Sequence, residues 1–291
     1  MKIDALATVD LSVTDFHRIR EHLRRHTGVH FEEAKITLFR SRLAKRLRTL
    51  RLNDYSEYAD FLIRQDPEAV ELRIALNLVT TNLTAFFREA HHFEYLAQML
   101  VPEIIATKRR DRTIHIWSCA CSTGAESYTA AIVLREALEA HPEWQVKILA
   151  SDINTDVLEQ AERGIYSAEE VRGVPEALLR RHFQRGSGQH AGRYRIRPET
   201  RRLVNYCQLN LLRPWPGFLT PFDAIFCRNV LIYFSAQDQQ QVVSGFAAEL
   251  RPGGVLFLGH SENVPAGQTF FERLPKTVYR RTTTGGAIHV R

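Results

Sequence analysis

Residues 113–134, TIHIWSCACSTGAESYTAAIVL, decide the fold. Ile114 and Ile116 alternate with other residues as in a short buried strand. Small residues from Ser118 to Gly124 form a loop, and Tyr128, Ala131, Ile132 and Leu134 mark one face of a helix. A strand that passes through a glycine loop into a helix start opens most nucleotide-binding βαβ units. Glycine admits a close backbone approach, and the unpaired N–H groups of the helix start suit polar ligand groups. Only one glycine is present, so the dinucleotide fingerprint is absent. The loop fits an adenosine-type ligand and equally an ordinary βα turn.

Strands and helices alternate downstream. VKILA at 146–150 is a buried strand ending in Ser151 and Asp152, followed by a helix over 154–162 with Asn154 or Thr155 as its N-cap. FDAIFC at 222–227 is another, a helix follows over 236–250, and Pro252-Gly253-Gly254 closes it. VLFLG at 255–259 and TVYRR at 277–281 complete the set, the last as an edge strand. The fold class is α/β: a doubly wound, mainly parallel sheet over 113–291. The glycine-rich stretch 186–209 carries a hairpin signature without a crossover helix, which predicts a small antiparallel β insertion.

Residues 1–80 read as an all-helical domain. Phe16, Ile19 and Leu23 share one face, and Ile36, Leu43, Leu47 and Leu50 recur at three- and four-residue steps. Gly28 is the stop of the first helix, Asn53-Asp54 of the second, and Pro67 starts a fourth. The second helix, 34–52, holds Arg40, Arg42, Lys45, Arg46 and Arg48 with no acid among them. Such a face repels itself. It is either a solvated surface or a docking surface for a negatively charged macromolecule, a choice toward which the net charge of +6 leans. Residues 81–112 form a linker and a connecting helix: irregular TNLTAFFRE with Phe86 and Phe87 at a seam, then a helix over 91–108 and a basic turn at 108–112.

The first ten residues lack an apolar leader, and no apolar run nears the ~18 residues of a spanning helix. Cys119, Cys121, Cys207 and Cys227 lack zinc-ligand spacing, so a reduced, cytoplasmic chain without a metal is expected. In an open α/β sheet the ligand sits beyond the carboxyl ends of the strands. Glu126, Asp152 and the pair Arg228-Asn229 fall at that edge. An acid after the second strand suits ribose hydroxyls, and it also suits a helix cap. Glu126 can serve a ligand or the helix dipole.

Five blocks together carry a resemblance: TTNLTAFFREAHHF (80–93), WSCACSTGAESY (117–128), ASDINTDVLEQAERGIY (150–166), FDAIFCRNVLIYF (222–234) and LFLGHSEN (256–263). The chain resembles the bacterial chemotaxis receptor methyltransferases, the CheR family, over nearly its whole length. The resemblance implies methyl transfer from S-adenosylmethionine to receptor glutamates, giving γ-glutamyl methyl esters and S-adenosylhomocysteine. It assigns cofactor contacts to Asn82, Thr84, Arg88, Glu126, Asp152, Asn210, Leu211, Arg228 and Asn229. Asp152 would hold the ribose, Asn210 would lie near the adenine and Glu126 near the amino-acid end. Arg88 and Tyr233 would stand nearest the sulfonium and the incoming carboxylate, as the catalytic pair. Where relatives read GEEP this chain has Gly124-Ala125-Glu126-Ser127, which implies a local change at the helix start.

A glutamate side chain, with a pKa near 4.3, is already a nucleophile at neutral pH and needs no base. Positioning and removal of water are then the expected catalytic devices. The partners implied are methyl-accepting chemotaxis receptors. Their acidic helical cytoplasmic domain would meet helix 34–52, and a C-terminal tether peptide could add a strand to the β insertion. No membrane insertion is expected. Nucleic acid is disfavoured as a substrate, since no Asn/Asp-Pro-Pro-Tyr segment or Pro-Cys nucleophile is present. The other competing class is a cofactor-binding adaptor without catalysis. His91, His92 and His260 read as structural or surface residues.

Overall fold

The computed structural model describes residues 10–107 and 111–282. The leader reading of the first residues and most of the basic turn at 108–112 lie outside them. The chain divides into two compact units, one running to Thr81 and taking in Tyr233–Ser235, the other made of the remainder.

The first unit is four helices. Ser12 caps α1 (Val13–Thr27) by accepting from the Asp15 N–H, and Gly28, at φ 79°, ends it in the left-handed conformation. A 3-10 turn at Glu33–Lys35 leads into α2 (Ile36–Leu50), which stops at Arg51 (φ 59°), short of the expected Asn53-Asp54. Asp54 instead caps α3 (Tyr55–Arg64) by accepting from the Glu57 N–H. The fourth helix, α4 (Val70–Val79), begins three residues after Pro67. Its start is fixed by Asp66, whose carboxylate accepts from the Leu72 N–H at 2.7 Å. Phe16, Ile19, Leu23, Phe39, Leu43 and Leu47 make the core, with Phe39 edge-on to Phe16 and Phe31.

The cations of α2 are not all turned outward, which corrects the reading of an unbalanced face. Arg46 makes a two-pronged ion pair with Glu71, down to 2.6 Å, and Glu71 also accepts from the Tyr58 hydroxyl at 2.8 Å. Glu71 is 3% exposed. Arg42 donates to the Leu78 carbonyl at 3.0 Å and to the Thr80 carbonyl, so it closes the end of α4. The balancing acid comes from another helix, out of reach of a reading confined to 34–52. Arg40, exposed, pairs with Asp10 at 2.8 Å, and Lys45 and Arg48 are exposed.

In the second unit, α5 (His91–Tyr95), a π turn at Leu96–Leu100 and α6 (Val101–Thr107) form one run. Then come β1 (Thr113–Cys119), α7 (Ala125–Ala137), β2 (Gln145–Asp152) and α8 (Thr155–Arg163). Three short strands follow, β3 (Ile165–Ser167), β4 (Phe183–Arg185) and β5 (Arg193–Ile196), with α9 (Glu176–His182) between the first two. The chain continues through α10 (Pro198–Arg201), β6 (Val204–Gln208), β7 (Phe222–Cys227), α11 (Ala236–Glu249), β8 (Leu250–Leu258), β9 (Phe271–Leu274) and β10 (Val278–Arg281). The main sheet has the order β6-β2-β1-β7-β8-β10-β9, its first five strands parallel and the last two antiparallel. The expected α/β architecture is therefore present.

Three local expectations change. The insertion is a three-stranded sheet, β3-β5-β4, assembled from 165–196 and not from 186–209. VNYCQ, read as its second arm, is β6 of the main sheet. Val204 aligns with buried Ile148, and parallel pairing needs no hairpin. Pro252-Gly253-Gly254 lies inside β8 as an irregularity opposite Phe222–Ala224 and does not close a helix. The strand at 278–281 is covered by β9, so the edge is β9.

Ile114, Ile116, Phe226 and Phe257 point to one face of the sheet, where Phe93, Leu96 and Ile132 cover them. The other face holds an aromatic layer, with Trp117 edge-on to Trp215 at 4.9 Å and Trp215 stacked on Phe246. Among the described residues, no helix is long and apolar enough to cross a membrane.

Removing Arg46 leaves the Glu71 carboxylate buried and unpaired, so Arg46→Ala is expected to cost about 3 kcal/mol, the low end for breaking a buried pair from one side. Arg48→Ala, exposed, should stay within about 0.5 kcal/mol. Urea unfolding of the two variants measures the contrast, and equal midpoints would return Arg46 to the surface set.

Candidate functional site

The carboxyl ends of β1, β2 and β7 place the predicted groups along one edge. Beyond β1 the loop takes three left-handed steps, at Ala120 (φ 50°), Ser122 (φ 51°) and Gly124 (φ 87°). A Cβ on Gly124 would meet the Tyr206 hydroxyl at 2.7 Å and the Ala161 Cβ at 2.8 Å. The glycine is thus required by its neighbours as well as by its φ. Three tyrosines buttress this turn. The Tyr166 hydroxyl donates to the Thr123 carbonyl (2.7 Å), Tyr206 and Ser127 share a hydrogen bond (3.0 Å), and Tyr128 donates to the Ala161 carbonyl (2.8 Å). Burial pushes Tyr128 up to about 12, so it stays protonated and donating.

Asp152 ends β2 with both carboxylate oxygens engaged. Oδ2 accepts from the Ser122 N–H at 2.8 Å and Oδ1 from the Asn154 N–H at 2.9 Å. The aspartate therefore ties the β1 loop to the β2 loop. The helix-cap alternative belongs to Asn154, which accepts from Asp156 and Val157. Burial raises the Asp152 pKa, against the pull of the Asn154 and Ser122 N–H groups.

The centre of the edge is Arg228, just beyond β7 and 6% exposed. It donates to Glu126 Oε2 at 3.0 Å, lies 3.4 Å from Glu89 Oε2, and donates to the Arg88 carbonyl at 2.5 Å. Glu126 Oε1 accepts from the Ser118 hydroxyl at 2.7 Å. Burial raises the Glu126 pKa despite Arg228. Two carboxylates share one guanidinium, so a single negative charge is left over. Arg228 Nε and Glu89 Oε2 are buried without a hydrogen-bond partner among the described residues.

Asn229 (φ 59°) opens a turn held from below by Glu262, which is 3% exposed. Its carboxylate accepts from the N–H groups of Asn229, Val230, Leu231 and Gly259, at 2.7–2.9 Å. A Cβ on Gly259 would stand 2.5 Å from Asn229 Nδ2. The remaining expected residues are less converged. The Asn82 carbonyl accepts from Ser122 Oγ at 2.9 Å, which brings segment 82–89 to the loop. Arg88 bonds to the Leu83 carbonyl at 3.0 Å. Asn210 Oδ1 accepts from the Leu212 N–H, and Leu211 is buried. Thr84 is half-buried. Tyr233 is counted with the helical unit.

Sequence reasoning missed Glu89, Ser118 and Glu262. Glu89 and Glu262 lie inside blocks quoted above, and both are acids next to glycine- or phenylalanine-rich turns that need N–H acceptors or a counter-charge. Phe87 and Glu89 both adopt positive φ (56° and 54°), a strain that no residue type announces. His92, read as structural, is fully buried; burial first, then Arg228, pushes its pKa down to about 4.

Two family models and several curated relatives match the chain. Residues 14–80 match the family model described as "CheR methyltransferase, all-alpha domain", and residues 82–280 match "CheR methyltransferase, SAM binding domain". The chain is 44% identical over 265 residues to "Chemotaxis protein methyltransferase 2" of Pseudomonas aeruginosa, covering 91% of this chain and 92% of that one. It is 41% identical over 270 residues to "Chemotaxis protein methyltransferase" of Escherichia coli, with 92% and 91% covered.

Glu262→Gln replaces part of a four-donor acceptor with an amide that itself donates. The expected loss is about 2–3 kcal/mol of stability. Chemical unfolding measures it, and a wild-type midpoint would show that the turn does not need the carboxylate.

Proposed function

The chain belongs to the CheR methyltransferase family, and from that premise we propose that it is a protein-glutamate O-methyltransferase acting on the cytoplasmic domains of chemotaxis receptors. The carrying observation is Arg228 between Glu126 and Glu89, in line with Asp152 at the carboxyl ends of the strands. The unpartnered Arg228 Nε fits an α-carboxylate, and the surplus negative charge of Glu89 and Glu126 fits an ammonium beside a sulfonium. Asp152, fixed at both oxygens yet with lone pairs to spare, fits ribose hydroxyls.

S-adenosylmethionine supplies a methyl group on a cationic sulfur, a leaving group that needs no acid. The protein's share is to hold and to dry the site. Asn82, Thr84, Asn210, Leu211 and Asn229 complete the binding edge, with Asn210 near the adenine. Arg88 orients the incoming carboxylate, which is ionised at neutral pH and needs no base. No Ser/His/Asp relay is called upon.

Arg40, Lys45 and Arg48 remain as the outward cations of α2, and they suit an acidic helical receptor by long-range attraction. The glycine-bearing turn between β4 and β5 suits a docked receptor tail. The assay is a labelled methyl group from S-adenosylmethionine, a purified receptor cytoplasmic fragment, and mild alkali. Label released as methanol is the expected result. Alkali-stable label would mean transfer to nitrogen or carbon, and no label would favour an adaptor.

Asp152→Ala should lower affinity for S-adenosylhomocysteine at least tenfold by calorimetry while leaving the fold intact by circular dichroism. Acidity gives an independent check. The native pKa values of Asp152 and Glu126 lie above ordinary carboxylate values, near 4. Between those limits the native state binds more protons than the unfolded chain, so stability of the unliganded protein falls as pH rises through that window. Affinity for S-adenosylhomocysteine should rise across the same window, because the ionised carboxylates are the binding form. Calorimetry and thermal melts over a pH series should therefore run in opposite directions, and a flat affinity would remove both acids from the binding edge.

A further inference from the structure

Beside Arg228, Glu89, His91 and His92 converge on one point, and the two histidines have no part in the methyl-transfer reading. His92 Nε2 lies 2.8 Å from the Lys276 carbonyl, which can only accept, so Nε2 carries the ring proton. In the neutral ring Nδ1 is then a bare lone pair. It is buried, has no hydrogen-bond partner among the described residues, and faces Glu89 Oε2 at 3.7 Å, an oxygen equally without one. Two buried acceptors confront each other without a hydrogen bond between them; the Arg228 guanidinium stands 3.4 Å from the Glu89 oxygen, on that side only, and a second cation between the acceptors would relieve the pair.

Arg228 does not discharge that need. Its charge is met by Glu126 at 3.0 Å, while Glu89 is the more distant acid at 3.4 Å. His91 supplies the third ligand, and the ligand atoms of Glu89, His91 and His92 all lie within 4.8 Å of one another. In a tetrahedral zinc site with bonds near 2.0–2.1 Å, ligand atoms stand about 3.3 Å apart. The His92–Glu89 pair is near that spacing already, and His91, half-buried, stands within 4.8 Å of both. A ligating imidazole whose other nitrogen donates to a backbone carbonyl is the usual support of a metal-bound histidine, and His92 has it.

We propose that Glu89, His91 and His92 form a binding site for one divalent transition-metal ion of the zinc class, with water completing the coordination. Two imidazoles and a carboxylate select Zn²⁺, Co²⁺, Ni²⁺ or Cu²⁺ over Mg²⁺ and Ca²⁺. This departs from the expectation of a metal-free protein, which considered only cysteine spacing. The site shares Glu89 with the methyl-transfer reading, and because the metal is titrated into the unliganded chain the two readings fail separately.

The test is titration of the full, untagged chain with Co²⁺, followed by its visible absorption and by competition with Zn²⁺. One equivalent should bind with the intense d–d bands of a four-coordinate nitrogen–oxygen site, and excess Mg²⁺ should leave them unchanged. His91→Ala and Glu89→Gln should each weaken binding at least about tenfold. His91 is the decisive position because, unlike His92, it is not part of the buried core. Three outcomes would overturn the proposal: no Co²⁺ bound by the wild-type chain, a sulfur-to-metal band placing the ion on cysteine, or unchanged affinity in His91→Ala. The last result would shift the ion to another pair such as His22 and His26, whose rings lie 4.3 Å apart on α1.

Discussion

A single guanidinium held between two carboxylates organises the second unit. Arg228 follows β7, Glu126 opens α7 and Glu89 precedes α5, so three segments far apart in sequence meet at one buried charge. An isolated buried cation costs several kcal/mol, and the two acids bring the site to a net negative value instead. Each partner is itself held. Ser118 fixes Glu126 from the end of β1, and Glu262 gathers three N–H groups of the turn that presents Arg228 and a fourth, from Gly259, beyond β8. The cluster is thus preorganised by hydrogen bonds that need no ligand to form.

The parallel sheet was legible because it is written in local patterns. Ile114-x-Ile116, the continuous apolar run of FDAIFC and the asparagine that caps α8 each announce their element within a few residues. Asp152, Glu126 and Arg228 were legible too, since strand ends in this architecture locate a ligand edge. What stayed hidden depends on partners distant along the chain. No spacing rule links Glu262 to the turn at 229–231, or Glu89 to Arg228. VNYCQ looks the same whether it closes a hairpin or joins β2. Only the alignment of Val204 with Ile148 decides it.

The helical unit teaches the same lesson about charge. Counting cations along α2 suggests a uniform positive surface, but Arg46 reaches a buried acid on α4 and Arg42 reaches the carbonyls that end that helix. Part of the charge is spent on the fold. The rest, at Arg40, Lys45 and Arg48, is what any acidic partner would meet. A helix can serve both ends because its faces are about 100° apart per residue, so neighbours in sequence do unrelated work.

The hydroxyl of Tyr166 belongs to β3, one of the two outer strands of the accessory sheet, yet its hydrogen bond is made to Thr123 in the turn beyond β1. Its ring is also edge-on to Phe86 at 4.9 Å, within the segment that supplies Asn82 and Arg88. The small sheet is therefore not an appendage. Its rim strand is joined, through one stiff aromatic side chain, to the turn beyond β1 and to the segment 82–89 alike.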